Sequence, residues 1–222
     1  MGRKFTEFAF TPQVRAAQEL NSSREANQAL ETIAGAHDVL TEREVEFIQS
    51  RDSFYQASVG ENGWPYVQFR GGTTGFLRVL DNKTLGYTDF RGNAQYISLG
   101  NLQGNDRVAM IMVDYANRRR LKIWARANII SIDDNPELIA RLEMTDYRAE
   151  IQRGIVLTVE AYDWNCPQHI TPRYTKHEVE ASLHGIAQRI ATLETENRQL
   201  KNELEKALSS ANAIGGHPEG KT

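Results

Sequence analysis

From Ser53 to Trp164 apolar and polar residues alternate with the period-two rhythm of half-buried strands. Ser53–Val59 and Trp64–Arg70 flank Gly60-Glu61-Asn62-Gly63, and an Asn-Gly pair between two aromatic and β-branched runs is a strong hairpin signal. Phe76–Leu80 and Thr84–Thr88 flank Asp81-Asn82-Lys83, which predicts a second hairpin. Arg107–Val113 and Arg119–Ser131, joined through Asp114-Tyr115-Ala116-Asn117, predict a third. In its second arm Leu121, Ile123, Ala125, Ala127 and Ile129 alternate with Lys122, Trp124, Arg126 and Asn128, giving one apolar face. A helix is predicted after Asp134-Asn135-Pro136, and a last strand over Gly154–Trp164. Some six antiparallel strands of this length, joined mostly by hairpins, predict a small closed barrel.

Helical periodicity flanks the strands. Thr11 is placed to cap a helix with Pro12 at its first position. Val14, Ala17, Leu20, Ala26, Leu30 and Ile33 follow at helical spacing, interrupted by Asn21-Ser22-Ser23. Thr41-Glu42-Arg43-Glu44 is a capping box opening a helix with Val45 and Ile48. Residues 1–51 therefore read as a helical extension packed on a barrel spanning 52–175.

From Lys176 to Ser209 the period changes to steps of three and four. Leu183, Ile190, Asn197 and Leu204 occupy a positions of a heptad, and Ile186, Leu193, Leu200 and Ala207 occupy d positions. A single Asn at an a position fixes two strands in parallel register. The charges agree, because Arg189 would face Glu194, and Glu196 would face Lys201, of a parallel partner. The expected assembly is a homodimer clamped by this helix. Residues 210–222, with Gly215, Gly216, Pro218 and Gly220, read as a disordered tail. The expected fold class is mainly β with helical extensions (α+β).

At 222 residues the chain can bury a core unaided, and 40% hydrophobic with 25% charged residues is an ordinary globular balance. A net charge of −3 argues against a general nucleic-acid binder. No apolar run approaches the roughly 20 residues of a membrane span. The first residues lack the pattern of a secretory signal, so a cytoplasmic location without membrane contact is expected. Cys166 is the only cysteine, which excludes an intrachain disulfide and a cysteine-rich zinc site.

The chemistry concentrates around Tyr87-Thr88-Asp89-Phe90-Arg91-Gly92-Asn93-Ala94-Gln95-Tyr96. A strand is delivered there into a helix expected to begin at Ala94, whose first N–H groups and dipole suit an anion. Arg91, Asn93 and Gln95 are the leading contacts, and a phosphorylated ligand is implied. Gln68 and Arg70 share a strand face that either meets the same ligand or faces solvent from an edge strand, while Gly71, Gly72 and Gly75 either allow close backbone approach or form a turn. At most one of Arg118, Arg119 and Arg120 is expected to reach a ligand. Trp124 points outward and is expected to fill a subunit interface. Trp164, Cys166, His169 and Arg173 lie in a Pro-punctuated loop. Cys166 reads first as a small buried hydrophobe, and otherwise as a neighbour of the ligand. No metal-ligand spacing and no nucleophile motif stand out.

Three segments carry a family resemblance: Trp64-Pro65-Tyr66-Val67-Gln68-Phe69-Arg70-Gly71-Gly72, Tyr87–Asn93 and Arg119–Ala127. They resemble the pyridoxamine 5′-phosphate oxidase-related flavoproteins. Asp163-Trp164-Asn165-Cys166-Pro167-Gln168-His169-Ile170-Thr171-Pro172-Arg173 is similar to a bacterial flavin-nucleotide-binding branch. The resemblance spans Phe8 to Thr175 and leaves the heptad helix outside. It implies an FMN-binding split β-barrel that dimerises with FMN at the subunit interface. Gln68, Arg70, Gly71, Gly72, Tyr87, Thr88, Asp89, Arg91, Asn93 and Gln95 would hold the cofactor, with Trp164 and Cys166 approaching across the dimer. His169 and Arg173 would face substrate as the catalytic pair. Gln68 and Thr73 stand where the true oxidase carries an arginine and a lysine, so pyridoxal phosphate synthesis is not expected. The implied activity is an FMN-dependent oxidoreduction of a small molecule. The alternatives are a non-catalytic flavin carrier, sensor or electron-transfer partner, or a haem- or deazaflavin-binding relative.

Overall fold

A computed structural model describes residues 3–32, 37–144 and 147–214. Ile33 of the expected helical pattern and residues 215–222 of the expected tail lie outside the described residues. The chain divides into two compact units, residues 1–172 and 173–222.

The first unit opens with α1 (Lys4–Ala9), α2 (Pro12–Leu20), α3 (Arg24–Thr32) and α4 (Glu42–Gln49). Its strands are β1 (Ser53–Val59), β2 (Pro65–Gly71), β3 (Arg78–Val79), β4 (Thr84–Phe90), β5 (Arg107–Asp114), β6 (Arg119–Ser131) and β7 (Ile151–Trp164). Between β4 and β5 lies α5 (Ile97–Gly104), and between β6 and β7 lies α6 (Pro136–Leu142). The seven strands form one antiparallel sheet in the order β2-β1-β5-β6-β7-β4-β3. Hydrogen bonding runs round the sheet from β2 to β3 and stops there, which is a split barrel.

Period-two alternation places the core inside this sheet. Phe54, Leu85, Tyr87, Met112, Leu121, Ile123 and Leu157 are fully buried, each contributing about 1.5–3 kcal/mol relative to exposure. Phe54 stacks on Phe76 at 5.4 Å and meets Tyr87 edge-on at 5.4 Å. The predicted hairpins form, and Gly63 takes the positive φ of +80° that the first turn needs. Gly154 is required for another reason: a Cβ there would lie 2.8 Å from Ile139 Cδ1, so the glycine lets α6 seat on the sheet.

The helical flanks are less uniform than their periodicity implied. Thr11 caps α2, accepting from the Val14 amide, and the capping box at Thr41 is present. α4 buries Glu44, Phe47 and Ile48. By contrast α2 and α3 bury no residue; Leu20 is 86% exposed, and the two helices are joined to each other by an Arg15–Glu31 ion pair. The expectation that all these helices pack on the barrel is thus corrected for α2 and α3. Both helices are short and mostly polar, and Val14 and Leu20 of the stripe stay exposed.

The face of Trp124 is covered by its own chain, where Phe5 stacks on it at 5.1 Å and Phe8 meets it edge-on at 5.6 Å. Cys166 is exposed, because it follows the last strand into an open loop punctuated by Pro167.

The second unit contains α7 (Lys176–Ile214), which runs five residues beyond the expected Ser209. Thr175 and Glu178 cap its start reciprocally, the Thr175 amide donating to Glu178 Oε2 at 2.7 Å. Leu183, Ile186, Ile190, Leu193, Leu200 and Leu204 are all exposed along it. Among the described residues, no helix is long and apolar enough to cross a membrane.

Candidate functional site

The split in the barrel is where the candidate residues meet. With no backbone ladder between β2 and β3, side chains cross the gap instead. Gln68 and Arg70 point inward from β2, as alternation predicts, while Val67 and Phe69 point out. Arg70 Nη1 reaches Asp89 Oδ1 on β4 at 2.5 Å. From β7, Arg153 Nη1 reaches the other oxygen of the same carboxylate at 3.1 Å. Both arginine side chains are 15% exposed and that of Asp89 is 10% exposed. Two guanidinium groups thus share one buried carboxylate, leaving one net positive charge.

A bulge positions the second arginine. Asp89 pairs with Arg153 but Phe90 pairs with Ile151, so Gln152 is the extra residue. Neighbouring strand residues ordinarily point to opposite faces. Here both turn to Tyr96: Gln152 Nε2 donates to its hydroxyl at 3.1 Å, and the Arg153 guanidinium lies 5.4 Å from its ring centroid.

Beneath Arg70 lies Tyr87, whose hydroxyl donates to Gln56 Oε1 at 3.0 Å. Burial pushes that hydroxyl up to about 12, so it stays protonated at any physiological pH. Arg70 Nε and Thr88 Oγ1 are buried and have no hydrogen-bond partner among the described residues. Unpaired buried polar atoms at the floor of a cationic site fit a ligand rich in acceptors.

The strand-to-helix junction differs from its expected form. Ala94 and Tyr96 adopt left-handed φ values of 59° and 52°, and α5 begins at Ile97, three residues after Ala94. Asn93 and Gln95 form a local turn in which Asn93 Oδ1 accepts from the Gln95 amide at 3.2 Å. Tyr96 offers no side-chain cap, and the first turn of α5 lines the same cleft. Ser98 Oγ donates to Gln68 Oε1 at 2.6 Å, fixing the helix start over β2.

Two adjoining hollows result, sharing Gln68, Arg70, Phe90 and Gly92. The smaller is a polar cleft of about 50 Å³ between Arg153, Asn93, Gln95 and the first turn of α5. The larger, about 440 Å³, lies between Gly71, Gly72, Tyr87, Thr88, Phe69, Phe90, Arg91 and Tyr147. Ten residues marked in the sequence, from Gln68 to Gln95, line one hollow or both. Gly72 is already accounted for by packing, since a Cβ would lie 2.9 Å from Phe76 Cβ. Arg91, lining the larger hollow, pairs with Glu150 at 3.1 Å, and both side chains are 62% exposed.

The other marked residues lie elsewhere in the unit. Trp164 ends β7, eleven residues from Arg153, a strand length of up to roughly 35 Å. Its indole Nε1 donates to Glu44 Oε1 at 2.6 Å, and its ring lies between the guanidinium groups of Arg43 (4.5 Å) and Arg119 (4.9 Å). That contact is where Arg119 of the arginine triplet goes. Cys166 and His169 follow in the exposed loop, and Arg173 opens the second unit. None of these lines either hollow.

Sequence reasoning missed Arg153, Gln152, Ser98 and Tyr96. The signal for Arg153 was present, because extending the last strand back through Ile151 sets it opposite Asp89.

The profile of the pyridoxamine 5′-phosphate oxidase family matches residues 40–165, more than half the chain. The chain belongs to that family. The match begins just before α4 and ends one residue past β7, so this pyridoxamine 5′-phosphate oxidase family member carries α7 outside the shared region. No functionally curated protein matches its sequence. Solved structures with which it is similar include a Lactobacillus delbrueckii protein that bears the pyridoxamine 5′-phosphate oxidase name (21% identity, 57% of this chain and 94% of that one, TM-score 0.46). Another is a Clostridium acetobutylicum protein related to general stress protein 26 (16% identity, 57% and 86%, TM-score 0.40). A third is HutZ, the heme storage protein from Vibrio cholerae (18% identity, 56% and 94%, TM-score 0.37).

Proposed function

We propose that the chain is an FMN-binding flavoprotein that carries out oxidoreduction of a small molecule as a cytoplasmic homodimer. The observation that carries this reading is the Arg70–Asp89–Arg153 cluster in the small cleft, whose Arg70, with its unpartnered Nε, also lines the adjoining hollow of ligand size together with the unpartnered Thr88 Oγ1. Arg70, Arg153, Thr88 and the first turn of α5 would hold the phosphate, and the aromatic walls Phe90 and Tyr147 would enclose the flavin. Bound FMN supplies the hydride or electron transfer; the chain supplies anchoring, orientation and exclusion of water.

The assembly has its own support. Proteins of this family are typically dimeric. Tyr55, Val59, Trp64, Val67 and Phe69 form an exposed apolar face along β1 and β2, separated from the hollows only by β2 itself. A second copy on that face would close the site and bring Trp164, Cys166, His169 and Arg173 of one chain toward the flavin of the other, with His169 and Arg173 facing substrate.

The exposed stripe of α7 supports a parallel pair. In parallel register Arg189 meets Glu194, and Glu196 meets Lys201, on both flanks. Antiparallel pairing instead sets Glu196 near its own counterpart. Replacing Asn197 with Leu is expected to raise the thermal stability of the helix pair and to broaden the assembly beyond two chains. Light scattering and circular dichroism check this, and an unchanged mass with unchanged stability counts against the parallel pair.

The flavin reading is tested by the visible spectrum of the purified protein, followed by acid release of the chromophore. About one FMN per chain, retained or taken up on addition, with turnover of a reduced nicotinamide and an acceptor, is expected. A colourless protein that gains no thermal stability from added FMN would sink it. A released haem or deazaflavin would reassign the cofactor.

A further inference from the structure

We infer that Asp89 limits how tightly this site holds its anion, so that FMN is an exchangeable ligand of this chain and not a permanently held prosthetic group. This rests on the flavin reading above. Asp89 is 8% exposed and gives one carboxylate oxygen to each guanidinium, at 2.5 Å from Arg70 and 3.1 Å from Arg153. A phosphate monoester brings about −1.5 to −2 charges at neutral pH. The cluster offers two cations but has already spent one charge on Asp89.

The neighbouring cation does not make up the difference. Arg91 is paired with Glu150, and that exposed pair adds no net charge. The first amides of α5 contribute only a partial positive charge of about one half. A phosphate that reaches Arg70 and Arg153 must also displace Asp89 from their best donors or lie beside its carboxylate. Both raise the dissociation constant. A flavin that leaves and returns serves a carrier, or an enzyme that uses flavin as a substrate, better than an enzyme with a fixed cofactor.

A purely supporting role for Asp89 predicts the opposite. If it only aligned the arginines, its loss would weaken binding. The contrast is read by isothermal titration of FMN, and separately of inorganic phosphate, into the full-length protein and three variants. Asp89→Asn is expected to bind both about tenfold or more tightly, and Arg153→Gln to bind both weaker by a similar factor. The double variant restores one net charge through Arg70 alone and is expected to return to within a few-fold of the parent.

Equal or weaker binding by a folded Asp89→Asn overturns the inference. If that single variant fails to fold, the double variant decides, and binding far weaker than the parent overturns it. If phosphate follows the expected order while no variant binds FMN, the flavin reading falls and the role of Asp89 as a brake on anion binding stands. If neither ligand binds any variant, both fall.

Discussion

Glu44→Ala is expected to lower the stability of the first unit by about 3–5 kcal/mol, a shift of roughly 10 °C in thermal midpoint for a unit of this size. Glu44 is 3% exposed and accepts from the Thr41 amide at 3.1 Å, from the Thr41 hydroxyl and from Trp164 Nε1 at 2.6 Å. Truncation leaves the indole N–H and the Thr41 amide without acceptors. Burial alone would push the Glu44 carboxyl up, but the bonds from the Thr41 side chain, Trp164 and the Thr41 backbone together outweigh it, so it lies below the ordinary 4.5. A carboxyl depressed in the folded state stabilises above its unfolded value and loses that contribution as pH falls through the folded one. The gap between parent and variant should therefore hold from neutral pH down to about 4.5 and narrow below it. Denaturant melts at several pH values check this; a gap that widens in acid would contradict it.

Arg70→Met is expected to reduce FMN affinity by about a hundredfold or more, whereas Arg91→Ala should change it by less than about threefold. Arg70 is mostly buried, contacts the carboxylate that also binds Arg153, and carries the unpartnered Nε. Without it Asp89 and Arg153 cancel, and the site loses its net positive charge. Arg91 is solvent-screened and already occupied by Glu150. Fluorescence titration of both variants separates the two arginines. A larger loss at Arg91 would place the phosphate on the outer rim of the hollow and not at its floor.

The strands were legible because each carries its own period-two pattern between unmistakable turns. Gln68 and Arg70 were placed on the right face by alternation alone. Thr11 and Thr41 were equally plain, since capping is chemistry within four residues. What could not be read locally was anything created by distant pairing. Arg153 became a site residue only through β4–β7 register and a bulge. Arg91 reads as an unpaired cation because Glu150, 59 residues away, is invisible from its neighbourhood. The helix start slipped by three residues because two non-glycine residues, Ala94 and Tyr96, take left-handed backbone angles that sequence does not announce. Trp124 and Cys166 show the same limit: their partners, or lack of them, are decided by where α1 and the last loop come to rest.

The open seam between β2 and β3 also bears on how the barrel breathes. A strand paired on one side only leaves about half its amides without ladder partners, and such positions exchange with solvent through small local openings. Across this seam the backbone lends no cooperativity, and Arg70–Asp89 and Ser98–Gln68 are single side-chain stitches. A phosphate gripping Arg70 from β2 and Arg153 from β7 would be a third stitch, tying the β2 edge to strands across the seam. Ligand binding would then register as slowed deuterium uptake along the whole of β2, well beyond the residues the ligand touches.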